Sequence, residues 1–459
     1  MSVRRSAGTI FWGLTLVAIG GLLLANNLGY SIRIWPYIVR YWPMLLIVWG
    51  LLKFVDYFRF RRSGDDRPLF SGGEIALLIL VIFAGSAITT AANVSPGLGR
   101  IFEIGDIDLL DITGNSYTYD QHVEQQNVTS GSEIEIVNFF GDVEVRPAES
   151  NNITVDVKKT IRASSREEAD RLEQEFTFLI REEGSKYRIA SNRDESGFRG
   201  TPRQRFKSSL MIHVPRQSAL HLDNRNGHVI VQDLTGNQAI VNRYADVEVR
   251  NITGKVELEN RNGAVTVEDV SDSVVINNRY SNTTVKNVGG DLRIETRNGS
   301  VDVSGVKGSA TIDNSFAPIN VQNVQGDLTI SGRNNGIDVR HVEGDVRADS
   351  SFQNVTIKDP RGAVSVTSRN GDLLLSFERP PVKDVSIGSR FANVTVELPS
   401  SSAFAIDAHT EFGDVESDFE GLTINRSSRE KSINGEFSRG GPRLTISTRN
   451  GDIRLQKRG

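Results

Sequence analysis

Arginine is the residue type whose spacing most invites a chemical reading. Arg225, Arg243, Arg261, Arg279, Arg297, Arg333, Arg369 and Arg390 recur at an interval of 18 residues or its multiples, with one three-residue slip before Arg390. Guanidinium groups repeated along a stack of equivalent units would form a basic stripe able to hold an anionic polymer or lipid headgroups. The blander alternative is a solvated ion ladder, because Asp223, Glu259, Glu295 and Asp313 lie two residues before this column and can neutralise it. The residue after each arginine position alternates in type. Asn226, Asn262, Asn298, Asn334 and Asn370 alternate with Tyr244, Tyr280, Phe316, Phe352 and Phe391. Rings facing solvent would make a carbohydrate platform. The expectation is instead that the amides bond along a turn and the rings fill a corner of the core.

Other chemistry is thinner. The pairs Gly290-Asp291, Gly326-Asp327 and Gly344-Asp345 could share calcium between stacked carboxylates, but the nonapeptide calcium-binding repeat is absent, and turn chemistry accounts for them. The six histidines (His122, His213, His221, His228, His341 and His409) are scattered. There is no GxSxG, P-loop, HExxH or GxGxxG motif. The absence of cysteine excludes disulfides, iron–sulfur clusters, cysteine-ligated zinc and a thiol nucleophile. No catalytic residue, metal or cofactor is expected. Net charge is −4, so no global basic excess points to nucleic acid.

The elements that carry these residues follow from the repeat. Arg-Asn-Gly occurs at 225–227, 261–263, 297–299, 369–371 and 449–451, with Arg333-Asn334-Asn335-Gly336 as a variant. Apolar columns share the 18-residue period. Val229, Val247, Val265, Thr283, Val301, Ile319, Ile337 and Val355 form one, all β-branched; the column from Val231 to Ile357 runs two residues later; the column from Ile240 to Val366 forms another. A glycine column, Gly236 to Gly362, has Asp272 as its exception and is expected to supply positive φ at a corner. A single unit buries too little to fold, while a stack of units shares a continuous core. The fold class expected is mainly β: a parallel β-helix or solenoid of 18-residue rungs, triangular in section and right-handed by the usual crossover preference, preceded by an N-terminal transmembrane helical segment.

The hydrophobicity of the chain is concentrated at its start. Thr9 to Leu28 and Ile75 to Val94 are uncharged 20-residue runs, each long enough to cross a hydrocarbon core about 30 Å thick. A shorter candidate begins at Tyr41 and is flanked by interfacial aromatics such as Trp35 and Tyr57. The organisation expected is a transmembrane region over 1–95 with about three helices (9–28, 41–58, 75–94), a linker over 96–130, and a β-rich start of the solenoid over 131–215. That start contains one short helix at about 166–176, after the capping-box sequence SREE, and an exposed loop over 192–207. Repeats and a C-terminal cap fill 216–459, with LTISTRNGDIRL closing the stack. Basic residues around Arg59 to Arg67, with Arg4 and Arg5, face the cytoplasm by the positive-inside rule, and three crossings then put the solenoid outside it.

Two family resemblances rest on these residues. GLTLVAIGGLLLANNLG and WPMLLIVWGLLKF within residues 9–55 resemble the membrane region of LiaI/LiaF-like bacterial proteins. The repeated GDVEV, RNG and TRNGDI motifs of residues 131–459 resemble a bacterial "putative adhesin" family of unknown function. Together the resemblances imply a membrane-tethered β-solenoid linked to envelope stress or adhesion, with no catalytic residues to carry over. LiaF-type proteins are expected to carry four helices, one more than is found here. The function expected is a non-enzymatic, membrane-anchored envelope scaffold, adhesin or stress-sensing module, integral to the cell membrane, whose partners are an envelope polymer or another membrane protein. The alternatives are a regulator acting on a membrane partner through the transmembrane segment, and a β-helix polysaccharide lyase or hydrolase.

Overall fold

Strict alternation of branched aliphatic and polar residues forces strands whose apolar face must be covered, and the 18-residue period sets how they stack. The computed structural model describes residues 115–193, 205–427 and 430–458. The three expected membrane spans and most of the 192–207 loop lie outside these residues. Among the described residues no helix is long and apolar enough to cross a membrane.

Each regular rung gives one strand to each of two parallel sheets. In the first sheet Val229, Val247, Val265, Thr283, Val301, Ile319, Ile337 and Val355 pair rung to rung in perfect register. In the second, Ile240, Leu258, Ile276, Ile294, Ile312, Ile330, Ala348 and Val366 do the same. All sixteen are buried. The one polar member, Thr283, accepts a hydrogen bond from the Asn278 amide at 3.2 Å. The chain is therefore a β-solenoid of 18-residue rungs. The described rungs form two sheets. The first sheet's strand bends within itself, at a column in the left-handed region: Asp233, Asn251, Asp269, Asn287, Asn323, His341 and Asp359, with Gly305 in the remaining rung. Asn and Asp tolerate that conformation better than other side-chain-bearing residues.

The glycine column serves a different purpose from the one expected. Only its first members, such as Gly236 at φ +131°, adopt positive φ. Further along, glycine backbone lies against glycine backbone, and a Cβ at Gly344 would sit 2.4 Å from the Gly326 carbonyl oxygen. Close approach of successive rungs is the main constraint there.

Both ends depart from sequence order. The strands β1 (Asn115–Gln125), β2 (Glu133–Phe140), β3 (Val143–Pro147) and β4 (Ile153–Ala163) precede a helix, α1 (Arg166–Gln174). After it come β5 (Phe178–Glu183), β6 (Lys186–Ser191) and β7 (Phe206–Val214). The rung built from β2 and β3 lies between the β6/β7 rung and the first regular rung, which starts at Ala219. Strand β4 then runs antiparallel to β7, and β1 antiparallel to β4, covering the sheet edge. Residues 96–130, expected as a linker, thus contain a strand whose Tyr117, Tyr119 and Val123 share its half-buried face.

At the other end the chain doubles back. The strand Arg443–Thr448, expected to close the stack, lies between Val385–Ser389 and Phe404–Thr410. The outer rung is the one that starts at Phe404, and the antiparallel strand Lys431–Phe437 covers it. Phe404, Phe419 and Phe437 pack ring on ring beneath this cap.

Candidate functional site

The corner that follows each strand of the second sheet holds both columns singled out by spacing. Backbone hydrogen bonds fix it rung by rung: the Tyr244, Asn262, Tyr280 and Asn298 N–H groups donate to the carbonyls of Arg225, Arg243, Arg261 and Arg279 at 3.0–3.2 Å. In spatial order the column reads Phe140, Asn226, Tyr244, Asn262, Tyr280, Asn298, Phe316, Asn334, Phe352, Asn370, Phe391, Asn450, Phe412. Ring and amide alternate over these thirteen positions, including those near the ends where the chain is threaded out of order. Phe140 is 86 residues from its neighbour Asn226. Phe412 sits beyond Asn450, its N–H donating to the Arg449 carbonyl at 2.8 Å.

The rings do not fill the core. Tyr244, Tyr280, Phe316, Phe352 and Phe391 are 42–50% exposed and Phe412 is 71% exposed. The strands Val274–Asn278, Ala310–Asn314 and Val346–Ser350 each end at a buried inner position two residues before Tyr280, Phe316 and Phe352, so the rings stand in the turn, outside the strand's alternation, and point outward. That inner position carries a column the spacing argument passed over: Asn138, Asn224, Asn242, Asn260, Asn278 and Asn314, all buried. Their amide nitrogens donate to turn carbonyls. Asn260 reaches the Ala245 carbonyl at 3.2 Å and the Gly263 carbonyl at 2.9 Å. The amides that tie the turn together are therefore these, and the alternating Asn226-to-Asn370 set stands outside them. The signal was available in the sequence, as asparagine one residue before five of the column positions, at Arg225, Arg243, Arg261, Arg279 and Ser315.

Nor do the arginines form a neutralised ladder. Arg243, Arg261, Arg279, Arg297, Arg333, Arg369 and Arg390 are exposed and form no ion pair among the described residues. Arg225, half-buried, lies 5.6 Å over the Phe139 ring. Glu295, expected to offset Arg297, pairs with Arg293. An ion ladder does exist, on the outer face of the first sheet, where Glu268 bridges Arg250 at 3.3 Å and Lys286 at 2.8 Å.

The Gly-Asp carboxylates face backbone. Asp291 accepts from the Ser309 N–H at 2.8 Å, Asp327 from Asp345 at 2.9 Å and Asp345 from Ala363 at 2.8 Å, each from the next rung. Among the described residues His341, Asp359 and Glu378 are the group able to converge on a metal ion. Asp359 is nearly buried and already bound by Arg361 at 2.5 Å, which offsets the charge a cation would need. The carboxyl with the largest downward shift, Glu168, is held at about 2 by the Ser164 hydroxyl and then by Arg205. Tyr119 is pushed up to about 12 by burial and by its hydrogen bond to Asp170. Both serve the packing of α1.

Residues 132–456 match the family described as Toastrack DUF4097. The chain belongs to the Toastrack DUF4097 family. Residues 11–102 match the LiaF transmembrane domain, so this Toastrack protein is membrane-associated. Neither family is an enzyme family. None of the curated proteins matches the chain. Among solved structures, one described as a "putative cell adhesion protein" from Clostridium sporogenes is 8% identical, covers 75% of this chain and 100% of its own, and has a TM-score of 0.17. A likeness at that level supports neither fold nor function for the Toastrack region.

Proposed function

We propose that this protein is a non-catalytic envelope module, anchored by several membrane-spanning helices, that holds its solenoid outside the cytoplasm as a scaffold or stress-sensing surface. The observation that carries the reading is the joining of a LiaF-type membrane domain to an uninterrupted repeat stack. The exposed chemistry of that stack is spread evenly along a corner. A glycoside hydrolase needs two carboxylates in one cleft, one of them protonated as the acid, and a lyase needs a base placed at the sugar's acidic C–H. Charge distribution by the repeat does not provide that. The solenoid in this reading presents one extended recognition surface and the membrane region fixes its location.

A second reading is favoured by the match of residues 11–102: the membrane region acts on a membrane partner and the solenoid reports to it. A reporter fused after Gly459 tests the placement common to both. Activity of a periplasmic-type or extracellular reporter is the expected result, and activity of a cytoplasmic one overturns the placement. Deleting residues 131–459 separates the readings. A scaffold loses its whole effect, whereas a regulator of a membrane partner keeps that partner in co-purification.

A further inference from the structure

We infer that the ring-and-arginine corner is a binding ladder for an extended acidic polysaccharide with a β-1,4-linked, disaccharide-length repeat. The inference rests on the extracytoplasmic reading above. Neighbouring rungs are about 4.8 Å apart, so rings on alternate rungs recur at roughly 9–10 Å. Tyr244, Tyr280, Phe316, Phe352, Phe391 and Phe412 then span ten rung steps, roughly 50 Å. Two β-1,4-linked pyranoses occupy about one such interval. An extended peptide does not fit, since its side chains recur on one face at roughly 6.6–6.8 Å.

Each component of the corner matches part of such a chain. The ring faces are negatively polarised and suit the axial C–H groups of a pyranose face. The amides between the rings, such as Asn262 and Asn298, are exposed and supply both donors and acceptors for hydroxyl groups. The arginines one residue earlier are free of ion pairs from Arg243 to Arg390 among the described residues and can take carboxylates in bidentate fashion. Exposed aromatic side chains carry a hydration cost that a folded surface does not retain at six stacked positions for core packing, because these rings contribute little to the core. The continuity of the alternation across both out-of-order ends points the same way. At Phe140 and Phe412 the sequence period is gone, yet ring still follows amide in space. That is what a one-dimensional ligand would require, and the interior would not.

The test is calorimetric titration of the full chain, in detergent micelles, with β-1,4-linked mannuronate oligomers of increasing length. Neutral β-1,4-glucan oligomers and oligo-dT serve as comparisons. Affinity for the acidic oligomers is expected to rise in steps of two sugars and to fall with salt. Replacing one ring, in Tyr280→Ala, Phe316→Ala or Phe352→Ala, is expected to weaken binding roughly tenfold. Arg297→Gln with Arg333→Gln should reduce the preference over neutral oligomers and flatten its salt dependence. Thermal unfolding checks that each variant folds, and Tyr280→Gln stands in should the alanine variant fail. Absence of binding, binding unchanged with all three rings removed, equal affinity for neutral oligomers, or tighter binding of oligo-dT overturns the inference. Binding is measured on purified protein, so the outcome is independent of topology. A cytoplasmic carboxyl terminus with oligomer binding sinks the placement alone, and an outside terminus without binding sinks the ladder alone.

Discussion

Asn260 and Asn262 are two residues apart and have opposite jobs. The Asn260 side chain is buried, donates to two carbonyls from adjacent rungs and accepts from the Arg261 N–H at 2.9 Å. Removing it strands buried polar groups with no route to water, at a cost of about 1–3 kcal/mol. Asn260→Leu is therefore expected to lower unfolding stability by about that much in denaturant titration, while Asn262→Ala changes it by less than about 0.5 kcal/mol. Equal losses at both positions would mean the turn is not tied by the inner amide. The sequence made the outer asparagine conspicuous, because it belongs to the Arg-Asn-Gly triplet. It left the inner one unremarked, although both recur at the same interval. Periodicity identifies equivalent positions but does not say which of two neighbouring polar columns faces inward. The rings illustrate the same limit: an aromatic beside a turn reads alike in a core corner and on a surface, and what decides is that the strand has ended two residues earlier, at Asn278 or Asn314.

Among the elements, α1 shows how local signals survive when tertiary ones do not. Its N-terminus was legible from Ser165 and Glu168. The Ser165 hydroxyl accepts the Glu168 N–H at 3.2 Å, and the Glu168 carboxylate accepts the Ser164 N–H at 2.9 Å. Arg205 adds a hydrogen bond to Glu168 from across the fold at 2.7 Å, a contact no local pattern announces. Because the folded carboxyl is held down at about 2, its stabilisation is complete above the ordinary carboxylate range and is lost as pH falls through about 2. Glu168→Gln is accordingly expected to unfold at lower temperature than wild type at pH 7. The gap should narrow below the ordinary range and close near pH 2. A gap that persists there would assign the effect to packing and not to charge. Strand β1 was illegible for the opposite reason. Its half-buried face uses Tyr117 and Tyr119 among polar neighbours, so its amphipathic pattern is weak, and its partner β4 lies beyond the intervening β2 and β3.

At the level of the whole repeat stack, the branched columns were readable because eight rungs repeat one choice, and each repetition strengthens the signal. The ends were not, since sequence order carries no information about which rung a returning strand will join. The β2/β3 rung and the Arg443–Thr448 strand each slot inside a rung that is their neighbour in space and distant in sequence. If rungs are interchangeable units coupled only to their neighbours, whole rungs can be removed. Deleting residues 265–282 removes one rung and joins Ala264 to Thr283, at the same place in the period. The apolar columns stay aligned, but Asn262 is then followed by Asn298, and two ring positions become three rungs apart. Deleting residues 265–300 removes two rungs and restores the alternation, with Phe316 next after Asn262. Both proteins are expected to retain β-type circular dichroism and a cooperative thermal transition. Only the two-rung deletion is expected to keep the two-sugar step in oligomer affinity across the junction. Loss of folding in either would show that rungs are individually specified. An unchanged step in the single-rung deletion would show that the corner does not act as a ruler.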